Sequence, residues 1–392
     1  MGDFSNKKII NRTKNEFFKQ VKAYQKTLKP TKEIEGFGSA PIIGEKNYPF
    51  LQIHNSSNED KENNFMNTNK IVKQGYKDIF QLKAKNILGS TQNTHIKQTT
   101  DRVNNEIIDI YKSKRAIEFN STFETEIKFD KVLTNKMAGV MGSKNELESL
   151  NATENTTTSK QIEKYSTNDA KAKEACIKLY EQGKNEQQII HLLALGVFGV
   201  NINKKLVPTR WAITAYDKMI ESHLHKQILK YNPINQYEVY YCQNKSDTHV
   251  NILLPDHYMG THTEDWSNSQ SPGMGGHNTD IFNNQNKIPT PEPLNSGGYY
   301  ATKIALNEHL QERKKQAAAI MIRVIIDYDV PLGVVFVREC VRESFNNQIF
   351  KTSSFQELTE FIKTKFPTHY KHFINSNVLK EQKKQTKLNK FF

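Results

Sequence analysis

The sequence predicts an α+β fold, in which helices and strands are mixed without strict alternation. Some segments repeat apolar residues at helical spacing behind capping signals, whereas others are short β-rich runs bounded by turn residues. No internal repeat period is present. We therefore expect a single compact body of mixed helices and short strands, with flexible basic termini.

The first predicted element is a basic helix near the N-terminus. Thr13 and Glu16 form a capping box, apolar residues follow at helical spacing over 17–28, and Pro30 ends the helix. Its apolar stripe would dock on the protein's own core or on a partner. We assign residues 1–35 to a basic helical arm.

The region that follows is less regular. The stretch GFGSAPIIGEKNYPFLQIH (36–54) places Gly and Pro around short apolar runs and predicts loop, turn and short strand. Residues 55–70 are polar, and a helix is expected over about 71–87. Residues 142–168 are rich in Asn, Ser, Thr and Lys and predict a flexible linker or a long surface loop.

More regular structure is predicted beyond residue 168. Two helices separated by Gly183 precede a third helix, which the capping box Thr214–x–x–Asp217 opens. The later elements are a hairpin over 236–255, a long loop over 257–296, a helix in GGYYATKIALNEHLQERKK, a buried strand in QAAAIMIRVII and a helix capped by Ser354.

The positive charge is concentrated at the two ends of the chain. The formal net charge is +13. Residues 1–32 hold nine basic and two acidic side chains, residues 380–392 hold five lysines and one glutamate, and only +2 remains for 33–379. Basic arms of this kind suit an acidic partner such as a nucleic-acid backbone, or serve only to keep the protein in solution.

The sequence lacks the common signatures of enzymes, metal sites and membrane proteins. It has no Walker A, Rossmann, nucleophile-elbow or HExxH motif, and Cys176, Cys242 and Cys340 are scattered. No apolar run is long enough to span a membrane, and the first residues do not form a signal peptide. We expect no metal, no cofactor and no membrane partner, three buried cysteines and a cytoplasmic location.

Two groups of side chains are weak candidates for a metal site. The spacing of the first group matches no helical i,i+4 pair, and nothing in the sequence fixes the geometry of the second. The groups are His257, His262 and Glu264, and Asp327, Asp329, Glu339 and Glu343.

The last eight residues, QTKLNKFF, match the pattern of peptides that dock on sliding clamps. Gln385, Leu388, Phe391 and Phe392 fit Q-x-x-[aliphatic]-x-x-[aromatic]-[aromatic]. One 3₁₀ turn would place Leu388 and Phe391 together, with Phe392 beside them, as an apolar plug. The Gln385 amide would fill a polar pocket. We predict that this tail (380–392) binds the PCNA sliding clamp; the alternative is that it folds back on its own core.

Longer motifs carry a family resemblance. LVPTRWAITAYD (206–217), GGYYATKIALNEHL (297–310) and PLGVVFVRECVRESF (331–345), with GSAPIIGEKNYP (38–49), resemble the archaeal Nre family of DNA repair proteins. The resemblance implies a role in DNA damage repair and a C-terminal clamp-interacting motif. Many members also have an N-terminal cysteine-rich zinc finger, but no cysteine precedes Cys176 here, so zinc is not carried over.

The resemblance also suggests an organisation of the chain. Residues 36–285 and 286–379 would be the N-terminal and C-terminal Nre regions, between the basic arm and the clamp-binding tail. We expect a DNA-binding or adaptor factor, associated with the nucleoid, that the clamp recruits to DNA. The alternative is a clamp-tethered, metal-dependent DNA-processing enzyme.

The first candidate for DNA contact lies in the motif PTRW. Arg210 and Trp211 offer a phosphate fork and a stacking surface near a helix start. In the structural alternative, Trp211 packs the helix on the core and Arg210 pairs with an acid such as Asp217.

Two further candidates come from the other family motifs. Gly297 and Gly298 place bare N–H groups at a helix N-terminus, which suits an anion. Arg338 and Arg342 would share a helical face and bind phosphate. The alternatives are a tight turn at the glycines and intramolecular salt bridges at the arginines.

Overall fold

The chain forms two compact units of mixed helices and strands. They are an N-terminal unit (Met1–Tyr216) and a C-terminal unit (Asp217–Phe392). The predicted α+β class is confirmed, with two units where the sequence predicted one body. The computed structural model describes residues 31–58, 86–97, 102–127, 134–135, 139–140, 143–167, 170–244, 247–267, 276–283, 296–325 and 333–388.

The N-terminal unit is built mainly of strands. Its strands are β1 (Glu33–Ile43), β2 (Phe50–Leu51), β3 (Ile53–Asn58), β4 (Ile87–Ser90), β5 (Thr94–His95), β6 (Glu118–Phe123), β7 (Thr134–Asn135), β8 (Gly139–Val140) and β9 (Ser143–Ala152). Its helices are α1 (Arg102–Lys112), α2 (Lys160–Thr167), α3 (Ala172–Glu181) and α4 (Glu186–Ala194), followed by α5 (Thr209–Ile228), which continues into the C-terminal unit.

Five of these strands close into a barrel. The order around it is β1, β3, β4, β9 and β6, and every adjacent pair is antiparallel except the parallel pair β4 and β9. Helix α1 contributes Tyr111, whose hydroxyl donates to Asn55 Oδ1 over 3.1 Å. A Cβ atom at Gly38 would lie 3.1 Å from the same hydroxyl oxygen. Glycine therefore lets Tyr111 approach the first strand.

One prediction for the N-terminal unit is confirmed in kind and another is wrong. The loop, turn and short strand predicted over 36–54 correspond to most of β1, β2 and the start of β3, with a turn over 46–49, although β1 is longer than a short strand. Residues 142–168 contain β9 and α2 rather than a linker or a long surface loop. In β9 the exposed Lys144 and Glu146 alternate with the buried Ser143 and Asn145. Because Ser143 and Asn145 are polar although buried, the alternation of buried and exposed residues does not appear as an alternation of apolar and polar residues in the sequence.

Helices α3 and α4 confirm the predicted pair. Gly183, at φ +66, lies just after α3, as expected for a left-handed helix end. His191 on α4 is a core residue, and burial lowers its pKa to about 3. The predicted cap at Thr214 is wrong, because α5 already begins at Thr209 and the Thr214 hydroxyl donates to the Arg210 carbonyl within the helix.

The C-terminal unit is a six-stranded sheet with five further helices. Its strands are β10 (Tyr237–Asn244), β11 (Asp247–Leu254), β12 (Met259–Asp265), β13 (His277–Phe282), β14 (Ala318–Ile325) and β15 (Gln348–Thr352), in the order β13, β12, β14, β11, β10, β15. Its helices are α6 (Ser296–Arg313), α7 (Val334–Phe345), α8 (Phe355–Lys365), α9 (Pro367–Ile374) and α10 (Asn377–Leu388).

The two faces of this sheet pack differently. Alternate residues of β14, such as Ile320 and Ile322, join an apolar core with residues from α8, α9 and α10. On the other face, Arg323 of β14 and Glu264 of β12 form a buried ion pair. One face is therefore held by hydrophobic burial, and the other also contains a buried ion pair.

The remaining expectations fall partly inside and partly outside the described residues. The hairpin, the buried strand and the helix capped by Ser354 are confirmed. The loop predicted over 257–296 is wrong where it contains β12 and β13, whose buried positions include polar residues. The basic helix over 13–29 and residues 71–85 lie outside the described residues.

Two expectations concern cysteines and membranes. All three cysteines are buried, as predicted. None of the helices in the described part of the chain combines the length and the apolar character needed to cross a membrane.

Candidate functional site

Arg210 and Trp211 lie at the start of α5, on the surface of the N-terminal unit. The Ile43 amide donates to Thr209 Oγ1 over 2.8 Å, which fixes this helix end to the barrel. Arg210 Nη2 and the Trp211 indole Nε1 lie 3.2 Å and 3.0 Å from the same atom, Glu45 Oε2. One carboxylate oxygen thus holds the guanidinium and the indole side by side.

An exposed tyrosine extends this surface. The ring centroid of Tyr48 lies 5.5 Å from that of Trp211, and the side chains are 48% and 41% exposed. Large aromatic rings are usually buried, so two neighbouring exposed rings mark a surface that can bind a partner. Rings beside a guanidinium can stack on bases while the cation meets a phosphate.

Gly297 and Gly298 lie in the first turn of α6, where the sequence predicted an anion site. A Cβ atom at Gly298 would lie 2.8 Å from Glu264 Oε1. Arg323 Nη1 lies 3.0 Å from the same oxygen. Burial raises the pKa of Glu264, but Arg323, His262 and Trp266 together lower it more, so that the pKa lies below its ordinary value. The helix start therefore meets a carboxylate of the protein itself.

Next to this helix start, a lysine is buried with its counter-ion. Lys303 Nζ on α6 lies 2.5 Å from Glu221 Oε1 on α5, and both residues are less than 5% exposed. The ammonium also lies 5.3 Å and 5.1 Å from the ring centroids of Phe282 and Tyr299. The rings add cation–π attraction to an ion pair that is desolvated.

A histidine and an aspartate lie on the two strands under α6. Asp280 Oδ2 is 4.0 Å from His262 Nδ1, and Thr302 Oγ1 is 3.3 Å from His262 Nε2. Burial lowers the pKa of His262 to about 4, whereas burial and the nearby Glu264 raise the pKa of Asp280 to about 6. We refer to Glu221, His262, Glu264, Asp280, Lys303 and Arg323 as the charged cluster.

The raised pKa of Asp280 predicts a specific pH dependence. Below pH 3.8 the carboxyl is protonated in both states, and between about 4 and 6 only the folded state keeps the proton. Stability from this group is therefore lost as the pH rises through that window. Buried histidines with a lowered pKa, such as His262, act in the opposite direction. We therefore expect the free energy of unfolding of wild-type protein, relative to that of Asp280→Asn, to fall between about pH 4 and pH 6 when both are measured by urea titration.

The matched control for this pH profile is Asp109→Asn. Asp109 is an exposed residue on α1, so its removal should leave the fall between about pH 4 and pH 6 in place. Parallel profiles for wild-type protein and Asp280→Asn would contradict the assignment.

Arg338 and Arg342 lie on α7 and both form ion pairs within the C-terminal unit. Arg338 is fully buried and binds the fully buried Asp217, the acid that the sequence had offered to Arg210. Arg342 makes two bonds to Glu308, of 2.8 Å and 2.9 Å, and one of 2.7 Å to Glu339. These are the intramolecular salt bridges that the sequence left open, and Arg338 offers no exposed surface to a phosphate here.

The predicted clamp-binding residues fall at the end of the chain. The backbone of Gln385 and Leu388 belongs to the last turn of α10, and nothing of their side chains is described. Phe391 and Phe392 lie outside the described residues.

The weak metal candidates do not converge in the described part of the chain. Among these residues, no group of three or more His, Cys, Asp and Glu side chains is placed to hold a metal ion. His262 and Glu264 belong to the charged cluster, and Glu339 pairs with Arg342. Asp327 and Asp329 lie outside the described residues.

Comparison with known proteins identifies the family. Residues 10–271 match Archaeal Nre, N-terminal, and residues 285–391 match Archaeal Nre, C-terminal. The chain belongs to the archaeal Nre family. The charged cluster of this Nre chain draws on both regions, because Glu264 lies in the first match and Lys303 in the second.

Several curated relatives are similar to this Nre chain. DNA repair protein NreB of Archaeoglobus fulgidus is 31% identical over 52% of each chain. DNA repair protein NreA of the same organism is 31% identical over 54% of each chain, and NreA of Haloferax volcanii is 28% identical over 50% of this chain and 48% of its own. The chain thus spans about half the length of the curated relatives it matches. No solved structure matches it.

Sequence reasoning missed several of these side chains. Glu45 and Tyr48 lie inside the motif GSAPIIGEKNYP, and Lys303 lies inside GGYYATKIALNEHL, so the family motifs contained the signal. Asp280 gave none, because its raised pKa depends on burial and on Glu264 in a neighbouring strand.

Proposed function

We propose that this Nre chain acts in DNA repair and is recruited to DNA by the PCNA sliding clamp through Gln385, Leu388, Phe391 and Phe392. The observation that carries the proposal is the C-terminal pattern Q-x-x-L-x-x-F-F in a chain whose curated relatives are DNA repair proteins. Buried in a clamp pocket, three apolar side chains contribute about 1.5–3 kcal/mol each, less the cost of ordering the tail.

The attachment of α10 supports this use of the tail. Val378 and Leu379 are 2% and 5% exposed, and Gln382 Nε2 donates to Asp256 Oδ2 over 3.0 Å. This contact anchors the helix three residues before Gln385, so the pattern begins directly after an attached segment. Docking as a 3₁₀ turn would require only the last turn of α10 to rewind.

Within this proposal the chain is a DNA-binding or adaptor factor rather than a clamp-tethered enzyme. Two buried carboxylates of the C-terminal unit pair with cations of the same unit: Glu221 with Lys303, and Glu264 with Arg323. Carboxylates held in this way stabilise the fold, whereas a two-metal DNA-processing site needs carboxylates that converge on the metal ions.

Recruitment is tested with the clamp loaded on nicked circular DNA. We expect the protein to co-elute with clamp-loaded circles at a salt concentration where clamp-free circles do not retain it. Linearising the circles lets the clamp slide off and should release the protein while the DNA length stays the same. Equal retention on clamp-free circles, or retention that survives linearisation, would overturn recruitment by the clamp.

The charge distribution predicts where salt-dependent DNA affinity originates. Residues 1–32 and 380–392 carry +11 of the formal +13. Replacing the lysines of these two segments and Arg12 with glutamine should flatten the dependence of log affinity on log salt concentration. Each phosphate contact that is lost reduces the magnitude of the slope by about 0.9. The measurement is a fluorescence-anisotropy titration of duplex DNA at several salt concentrations; an unchanged slope would place the contacts in 33–379.

A further inference from the structure

We propose that an aromatic surface of the N-terminal unit binds the unpaired bases of single-stranded DNA. The surface consists of Tyr48, Phe50, His95 and Trp211. The proposal rests on the DNA repair function proposed above, and it names the form of DNA that the chain recognises.

The exposure of these rings carries the argument. Phe50 is 52% exposed, and its ring centroid lies 5.2 Å from that of His95. Together with the Tyr48–Trp211 pair, this gives two pairs of neighbouring rings. In the described part of the N-terminal unit, Tyr48, Phe50 and Trp211 are the only large hydrophobic side chains that are exposed. Exposed aromatic residues concentrated at one place are typical of a binding surface.

Backbone hydrogen bonds hold the segments that carry these rings. The amide of Ile96, next to His95, donates to the carbonyl of Pro49 over 3.0 Å. The amide of Leu206 donates to the carbonyl of Ile96 over 2.9 Å, which attaches the segment leading to Trp211. The rings are therefore positioned before any ligand arrives, which lowers the entropy cost of binding.

The segments that carry the rings are positively charged, which favours binding of the phosphate backbone of a DNA strand. The three segments 44–50, 94–97 and 205–211 contain four basic residues and one acid. The basic residues, Lys46, Lys97, Lys205 and Arg210, are all exposed. The acid, Glu45, orients Arg210 and Trp211. Aromatic stacking with a surrounding positive charge is the combination that proteins use to bind single strands.

Two of the rings lie in a loop of the barrel whose position follows from the strand order. Numbered 1 to 5 along the chain, the barrel strands are β1, β3, β4, β6 and β9. Around the barrel their order is 1-2-3-5-4, strands 3 and 5 are parallel, and a helix lies between strands 3 and 4 in the sequence. This is the arrangement of oligonucleotide-binding (OB) barrels, which bind through strands 2 and 3 and the loop between strands 1 and 2. That loop is residues 44–52 here, and it contains Tyr48 and Phe50.

One part of the usual OB surface is closed in this chain. Ser56 and Leu88 are paired across strands 2 and 3, on the face opposite the barrel interior, and both are fully buried. Tyr48 and Phe50 in the loop 44–52 are exposed, so that this loop remains accessible to a ligand.

An unpaired base is the ligand that such a surface selects. In a duplex the flat faces of the bases are stacked on each other, so exposed rings cannot reach them without unstacking the DNA. In a single strand each base offers a free face, and stacking on an aromatic side chain adds affinity without sequence preference.

The direct test uses the intrinsic fluorescence of Trp211. The chain has two tryptophans, so Trp266→Phe leaves Trp211 as the only indole. We expect an oligo(dT) of about 20 nucleotides to quench its emission, since a single strand of that length exceeds the site of one OB barrel. Unchanged emission at a saturating strand concentration would overturn the proposal.

Variants then separate stacking from charge. Tyr48→Ala with Phe50→Ala should weaken oligo(dT) binding by about tenfold or more, without lowering the melting temperature, because both rings are exposed. Phe355→Ala is the matched control, as Phe355 is an exposed phenylalanine of the other unit, 40% accessible. Equal affinity of the double variant and wild-type protein for oligo(dT) would contradict the assignment.

Competition experiments with other polyanions test whether single-stranded DNA is the preferred ligand. A hairpin duplex and heparin should compete poorly at moderate salt if base stacking carries the binding. Competition by duplex or heparin at the strength of oligo(dT) would show binding by charge alone, and tighter binding of a same-length RNA would overturn the assignment to DNA. Loss of clamp binding in the Tyr48 and Phe50 variant, with oligo(dT) binding intact, would identify a protein interface instead.

These results are independent of the clamp experiment. If oligo(dT) binding fails while clamp-loaded circles still retain the protein, only this inference falls. If the circles fail and oligo(dT) binding remains, only recruitment by the clamp falls.

Discussion

Replacing Arg338 with alanine will lower the free energy of unfolding of the C-terminal unit by about 3–5 kcal/mol. Arg338 and its partner Asp217 are both fully buried. Truncation therefore removes the guanidinium from a carboxylate that is shielded from water, and the loss of this charged partner causes most of the destabilisation. Urea unfolding followed by circular dichroism measures the effect.

Two further variants test whether the loss comes from the buried charge. Arg210→Ala breaks an ion pair whose side chains are about half exposed, and should cost less than about 1 kcal/mol. Arg338→Met combined with Asp217→Leu should recover most of the stability, because an apolar pair of similar volume often replaces a buried ion pair without loss. Unchanged stability of Arg338→Ala, together with weaker DNA binding, would restore Arg338 as a phosphate ligand.

Replacing Phe391 and Phe392 with alanine is expected to weaken clamp binding from micromolar to millimolar or beyond. The two rings contribute about 1.5–3 kcal/mol each when buried in a partner, and each 1.4 kcal/mol is a factor of ten in affinity. If the rings dock only on the clamp, the melting temperature of the protein should stay nearly unchanged. Calorimetric titration of the clamp, with a thermal melt of the same sample, measures both quantities.

The alternative for the tail predicts the opposite result. If Phe391 and Phe392 pack on the core of the same chain, the double substitution lowers the melting temperature and leaves clamp affinity intact. Lys390→Ala is the matched control, because it changes the same segment without removing a ring.

The elements that sequence reasoning predicted correctly are those whose local pattern agrees with their burial. The strand β14 is apolar along most of its length and buried throughout, and Ser354 accepts the Glu357 amide as its capping pattern requires. The start of α5 was misplaced because the Thr209 side chain contacts Ile43, more than 160 residues away in sequence. Contacts at that separation leave no mark on a local pattern.

The candidate sites were predictable to a different extent. Arg210 and Trp211 could be selected as candidates from the sequence, because an arginine beside a tryptophan combines a phosphate-binding group with a ring that can stack on a base. The partners that define their surroundings could not, since Glu45 comes from a distant loop. At the start of α6, where the sequence predicted an anion site, Glu264 of β12 lies beside Gly298, and only the folded sheet brings this carboxylate there.

The small polar residues inside the barrel have a thermal consequence. Asn55, Ser57, Ser121 and Ser143 are all at most 3% exposed. Exposing apolar surface raises the heat capacity by about 0.45 cal/mol/K per Å², and exposing polar surface lowers it by about 0.26. Unfolding this barrel should therefore raise the heat capacity less than unfolding a barrel of the same size with an aliphatic interior. Its stability curve is then broader than that of such a barrel, and cooling weakens it less.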